Sequence, residues 1–121
     1  MQHKLTPEQA RRAEEIEDFL RTVRDLKALV SELESSRAAA TAVVQRLCES
    51  IARECSQLRQ RMLAANVGTV ADVAGAMSVM AARGGGINMK VRGLSDGVTS
   101  LTMQLDQALK HALAPPPRQP S

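Results

Sequence analysis

Trp and Tyr are absent from the 121-residue sequence, and Phe19 is its one aromatic side chain. Large flat rings anchor most compact cores, sugar sites and single-stranded nucleic-acid platforms, so those recognition modes lack their usual equipment here. Histidine is confined to His3 and His111, at opposite ends of the chain, and cysteine to Cys48 and Cys55. Four ligands are needed for structural zinc, and this spacing does not gather them, so no metal site is expected. The cysteines are seven positions apart, about 10.5 Å along a helix, which is too far for an internal disulfide. They are expected to be two reduced thiols flanking a helix seam.

A strong charge of one sign is also missing: 16 Lys and Arg stand against 13 Asp and Glu, a net charge of +3. Signs alternate along the first half, through Arg11, Arg12, Glu14, Glu15, Asp18, Arg21, Arg24, Asp25 and Lys27. That is the pattern of a solvated helix face, and it excludes the clustered like charge of a nucleic-acid surface. No run approaches the ~18 uninterrupted apolar residues of a membrane-spanning helix; the most apolar, Val67 to Ala82, contains Asp72. Met1 to Pro7 has no apolar core of the secretory kind, so an intracellular, cytoplasmic location is expected.

What is present is helix periodicity. Thr6-Pro7-Glu8-Gln9 combines an N-cap, a proline at the first helical position and the Gln of a capping box. Neither Gly nor Pro then appears until Gly68, which leaves room for one helix about 85 Å long. Ile16, Val23, Val30, Val44, Ile51 and Leu58 fall on a seven-residue grid, with Phe19, Leu26, Leu33, Ala40 and Leu47 three positions later. This is a coiled-coil seam, and it leaves parallel and antiparallel pairing both open. Arg37 interrupts it beside Ser35-Ser36 and Ala38-Ala39-Ala40, where the seam is weak and a kink or close neighbour is accommodated. Beyond that point Val43, Val44, Leu47, Cys48, Ile51, Cys55, Leu58 and Met62 form a wider stripe, which predicts more than one helical neighbour.

Ala65-Asn66-Val67-Gly68 reads as a helix stop and Thr69 to Asp72 as a second capping box. A short helix from Val70 to Arg83 is predicted, then a break at Gly84-Gly85-Gly86. A third helix spans Asn88 to Ala114, its first turns weakened by Gly93 and Gly97. Pro115-Pro116-Pro117 ends it. The predicted fold is all-α: a long coiled-coil helix over 1–65, two shorter helices over 66–114 joined by a Gly-rich hinge and packing back as a helical hairpin or bundle, and a disordered Pro-rich tail over 115–121.

Catalytic groupings are not evident. The glycine triplet lacks the preceding strand and following Lys-Ser or Lys-Thr of a phosphate loop, so it reads as a hinge. His111 sits near the negative pole of the last helix, where a cation is favoured. Met62, Met77, Met80, Met89 and Met103 all lie in the second half; they suit core filling in a chain without aromatics, or a surface that repacks against partners.

The stretch Ala65-Asn66-Val67-Gly68-Thr69-Val70-Ala71-Asp72-Val73-Ala74-Gly75-Ala76-Met77-Ser78-Val79-Met80, followed by Gly93-Leu94-Ser95-Asp96-Gly97-Val98-Thr99-Ser100-Leu101-Thr102-Met103, resembles a shortened central region of the apolipoprotein L family. There a similar Ala-Asn-Val segment leads into a small-residue hydrophobic hairpin and a turn rich in Gly, Val, Thr and Ser. The resemblance implies lipid association through residues 67–80 at a membrane surface. Asp72, Lys90 and Arg92 would be costly at bilayer depth.

The sequence therefore predicts a non-enzymatic coiled-coil interaction or assembly subunit with no cofactor. It is expected to pair as a homodimer or with another coiled-coil protein through Ile16, Phe19, Val23, Leu26, Val30 and Leu33. The alternative is an amphipathic helical module that meets a membrane surface through Val70, Val73, Met77 and Met80.

Overall fold

The computed structural model describes residues 4–115. Helix α1 spans Pro7–Ser35, α2 Thr41–Ala64, α3 Val70–Ala82 and α4 Ile87–Leu113. Each packs on two neighbours, α1 on α2 and α4, α3 on α2 and α4, so the four close a ring around one core. Cross-links between helices give the directions. Arg12, near the start of α1, donates to the carbonyls of Ala65 and Asn66 after the end of α2, and Gln9 donates to Ala114 at the end of α4. Ser78 of α3 donates to the Ala52 carbonyl of α2. The chain thus runs up, down, up, down.

Helix α1 begins as expected: the Thr6 hydroxyl accepts from the Gln9 amide at 3.1 Å while the Gln9 side chain accepts from the Thr6 amide at 3.0 Å. It does not continue to residue 65. The chain reverses over residues 36–40, and Arg37 is held there by hydrogen bonds to Asn88 (3.0 Å) and Glu34 (3.3 Å). The physical reason is burial: a lone straight rod would leave the apolar stripe of both segments in water, whereas folding back buries it and lets Arg37 stay exposed.

The α2–α3 connection is a built stop. Asn66 takes φ 60°, its N–H donates to the Leu63 carbonyl, and the Val67 N–H reaches back to Met62, the paired bonds of a Schellman motif. The capping box expected at Thr69 does not form, because Thr69 itself is helical and its hydroxyl bonds Gln104 across to α4. Nor do Gly93 and Gly97 delay the last helix, which is regular from Ile87. Of the expected tail, residues 116–121 lie outside the described region.

The core is aliphatic. Leu26, Leu33, Ile51, Leu58, Leu94, Leu101 and Leu105 are fully buried, and no polar or charged residue is buried with them among the described residues. Phe19 lies at its edge, with the Arg61 guanidinium 5.3 Å from the ring centre. Arg61 also bonds Asp18 (2.9 Å) and Thr22 (3.3 Å), tying α2 to α1.

Candidate interaction surface

The six residues expected to meet a partner, Ile16, Phe19, Val23, Leu26, Val30 and Leu33, are each at most 3% exposed and belong to the chain's own core. Their periodicity is real, but its immediate neighbours are internal. Helix α4 runs antiparallel along α1 over most of its length, and α2 takes the other flank. In this folded form the seam does not reach solvent.

The expected lipid face is divided in the same way. Val70 (4% exposed) and Met77 (2%) are core residues, while Val73 and Met80 are half-buried against the core. The stripe therefore turns inward. Its methionines lie over the glycines of α4: a Cβ on Gly97 would fall 2.6 Å from both Cγ and Sδ of Met77, and one on Gly93 would collide with Sδ of Met80. Glycine at these positions lets a small-residue helix approach closely, a role the sequence offers no way to distinguish from helix weakening.

One incompletely covered part of the bundle is the end that carries the 36–40 turn; Leu63 (50% exposed), Val79 (55%) and Met103 (59%) are exposed elsewhere on the surface. Helix α3 has 13 residues against 29 in α1 and 27 in α4. It stops at Ala82, and the connection 83–86 lies over the first turns of α2 instead, leaving an open hollow between Thr41, Val44, Gln45, Arg83, Gly84 and Lys90. Around this end Val43 is 38% exposed and Met89 80%, while Val44 and Leu47 are only half-buried. Sequence periodicity marked Val43 and Met89 as members of a stripe and a methionine set, but not that they would stay exposed.

Charge at this end is mixed: Arg37, Arg83, Lys90 and Arg92 accompany Glu34 and Glu49. Lys90 donates to the Ala81 carbonyl at 3.4 Å, which closes the end of α3 rather than presenting a free cation. The groove between α1 and α4 is lined partly by polar side chains, among them Lys27, Ser31, Ser95 and Thr99. The ion pairs, Arg12–Glu15, Arg21–Asp18, Arg37–Glu34 and Arg61–Asp18, are at the surface and contribute little individually.

Cys48 and Cys55 are buried free thiols. Burial, and secondarily the negative charge of Glu54, push the Cys55 thiol up to about 12. A thiol so placed is a packing group, not a nucleophile. Among the described residues no three His, Cys, Asp or Glu side chains are grouped to hold a metal ion, and no helix is long and apolar enough to cross a membrane.

No protein family, curated protein or solved structure matches the chain. The likeness to apolipoprotein L rests on the residues quoted for it alone.

Proposed function

We propose that the protein is a non-enzymatic helical assembly subunit that pairs with a second copy of itself or with another helical chain. The observation that carries this reading is the incomplete cover at the turn end of the bundle: Val44 lines the open hollow beyond the end of α3, Val43 is exposed and Leu47 half-buried, and Met89 is exposed on the α1–α4 side beside Glu34 and Arg37. Exposed large apolar side chains favour burial against another surface. The aliphatic core, with no enclosed polar or charged group among the described residues, supports a packing role over a catalytic one.

Lipid association through Val70, Val73, Met77 and Met80 is the weaker reading, since Val70 and Met77 would first have to leave the core. Light scattering over a concentration series tests the proposal. Wild type is expected to associate, and Val43→Glu with Met89→Glu is expected to weaken association while circular dichroism is unchanged, because both side chains are exposed. Association that this pair of charges leaves unaltered would remove the turn end as the contact. Flotation with anionic liposomes separates the lipid alternative.

A further inference from the structure

We propose that the 36–40 turn is a hinge, and that the chain's partner at this end is a second copy with which it exchanges α1. The proposal rests on the self-association reading above and specifies its route. In the exchanged form residues 7–64 make one continuous helix. Two such helices run antiparallel and cross near Ala38, and each α1 packs into the α2–α3–α4 core of the other copy.

Three independent features of the hinge point this way. First, it contains no stop signal. The α2–α3 connection has Asn66 at φ 60° and Gly68 at φ 73°, and the α3–α4 connection has Gly85 at φ 143°. The α1–α2 connection, Ser36-Arg37-Ala38-Ala39-Ala40, has no glycine, no proline and no positive φ. Alanine and arginine are among the strongest helix formers.

Second, the bend leaves the start of α2, like the starts of α3 and α4, without a side-chain cap, and of these only the α2 start would be satisfied by straightening the preceding connection into helix. Ala40 is the N-cap residue of α2 and has no side chain to accept a first-turn N–H. Straightening supplies those donors with the carbonyls at the end of α1. The turn itself is held by the Ser36–Ala39 backbone bond (2.9 Å), and the Arg37–Asn88 bond is a side-chain tie between the hinge and α4.

Third, the two apolar faces are in phase. Val30 and Cys48 are eighteen positions apart, as are Leu33 and Ile51, and eighteen residues make about five turns of α-helix. All four are buried. A straightened helix therefore presents the core faces of α1 and α2 on one side. That is the arrangement a second antiparallel copy needs if it is to restore every core contact in trans. Had the faces been out of phase, straightening would have turned one of them to water.

Exchange remakes the same core packing between the two copies and changes only the hinge, which makes it a low-cost route to a dimer. It also brings the two uncovered ends together at the centre of the assembly, so Val43 and Met89 of the two copies lie near the crossing. Ala38, Ala39 and Ala40 are small enough for a close approach there.

The test is light scattering and small-angle X-ray scattering on the full chain, refolded from denaturant at increasing concentration. The expected product is a species of twice the 13.0 kDa chain mass, built around a rod about 85 Å long. Ala40→Pro suits the bent form, where φ is −56°, but breaks a continuous helix, so it should lower the dimer fraction by at least about tenfold. Asn88→Ala, which frees Arg37, should raise it. A dimer that Ala40→Pro leaves undiminished overturns the exchange while self-association stands. If Ala40→Pro fails to fold, an unchanged dimer fraction in Asn88→Ala overturns it. A wild type that stays monomeric after concentrated refolding overturns exchange and self-association together.

Discussion

Met77 of α3 lies directly over Gly97 of α4, so closely that a single added Cβ would sit 2.6 Å from its Sδ. The same helix places Met80 over Gly93 one turn away, still closer, but the two methionines differ in exposure. Met77 is 2% exposed and enclosed, whereas Met80 is half-buried and has solvent to move into.

That difference sets opposite outcomes for two similar substitutions. Gly97→Ala gains about 1 kcal/mol of helix propensity but forces an enclosed side chain to shift, which costs about 1–3 kcal/mol. A net loss of stability is expected in urea unfolding. Gly93→Ala should be neutral or stabilising, since the outer atoms of Met80 can swing aside. Equal destabilisation by both would show that the α3–α4 approach, not side-chain freedom, decides the effect.

Arg12 joins three partners: Glu15 on its own helix at 2.8 Å, and past the end of α2 the Asn66 carbonyl at 3.1 Å and the Ala65 carbonyl. It thereby satisfies carbonyls left by the end of α2, which a planar, forked donor does better than an ammonium. Arg12→Met should destabilise by about 1 kcal/mol, a modest figure because the side chain is 36% exposed. Arg12→Lys should recover only part of that loss.

Leu26 is fully buried, between the α2 and α4 neighbours of α1. Leu26→Ala should therefore cost about 2–5 kcal/mol in unfolding. A charged residue there should unfold the bundle. Retained helix content in Leu26→Asp, by circular dichroism, would contradict the structure's placement of this side chain.

The Cys55 thiol, raised to about 12 from an ordinary value of 9.0, makes stability depend on alkaline pH. Above pH 9 the thiol ionises in the unfolded chain but not in the fold, so the unfolded state is favoured progressively as pH rises toward 12. The contribution is fully present below pH 9. Urea midpoints should fall over that window, and the fall should shrink in Cys55→Ala. At neutral pH both buried thiols should react with a thiol reagent only as fast as the protein opens.

The seam positions from Ile16 to Leu33 were legible because burial of a helix face demands a three-and-four spacing whatever covers it. The capping box at Thr6 and the stop at Asn66 were legible for a related reason: each is satisfied by atoms a few residues away. Thr69 and the α4 glycines were misjudged because their partners, Gln104 and the two methionines, come from another helix.

Local sequence thus determined that this chain would be helical, where six of its eight helix termini would fall to within a residue and which side chains would seek shelter from water. Tertiary structure alone decided what provides the shelter. Periodicity is the same for a seam closed by a neighbouring chain and for one closed by the chain's own last helix, and the choice between them turns on whether residues 36–40 bend. Those five residues favour a helix locally and are bent by contacts made far along the sequence, the Arg37–Asn88 bond and the shared core of α1 and α4.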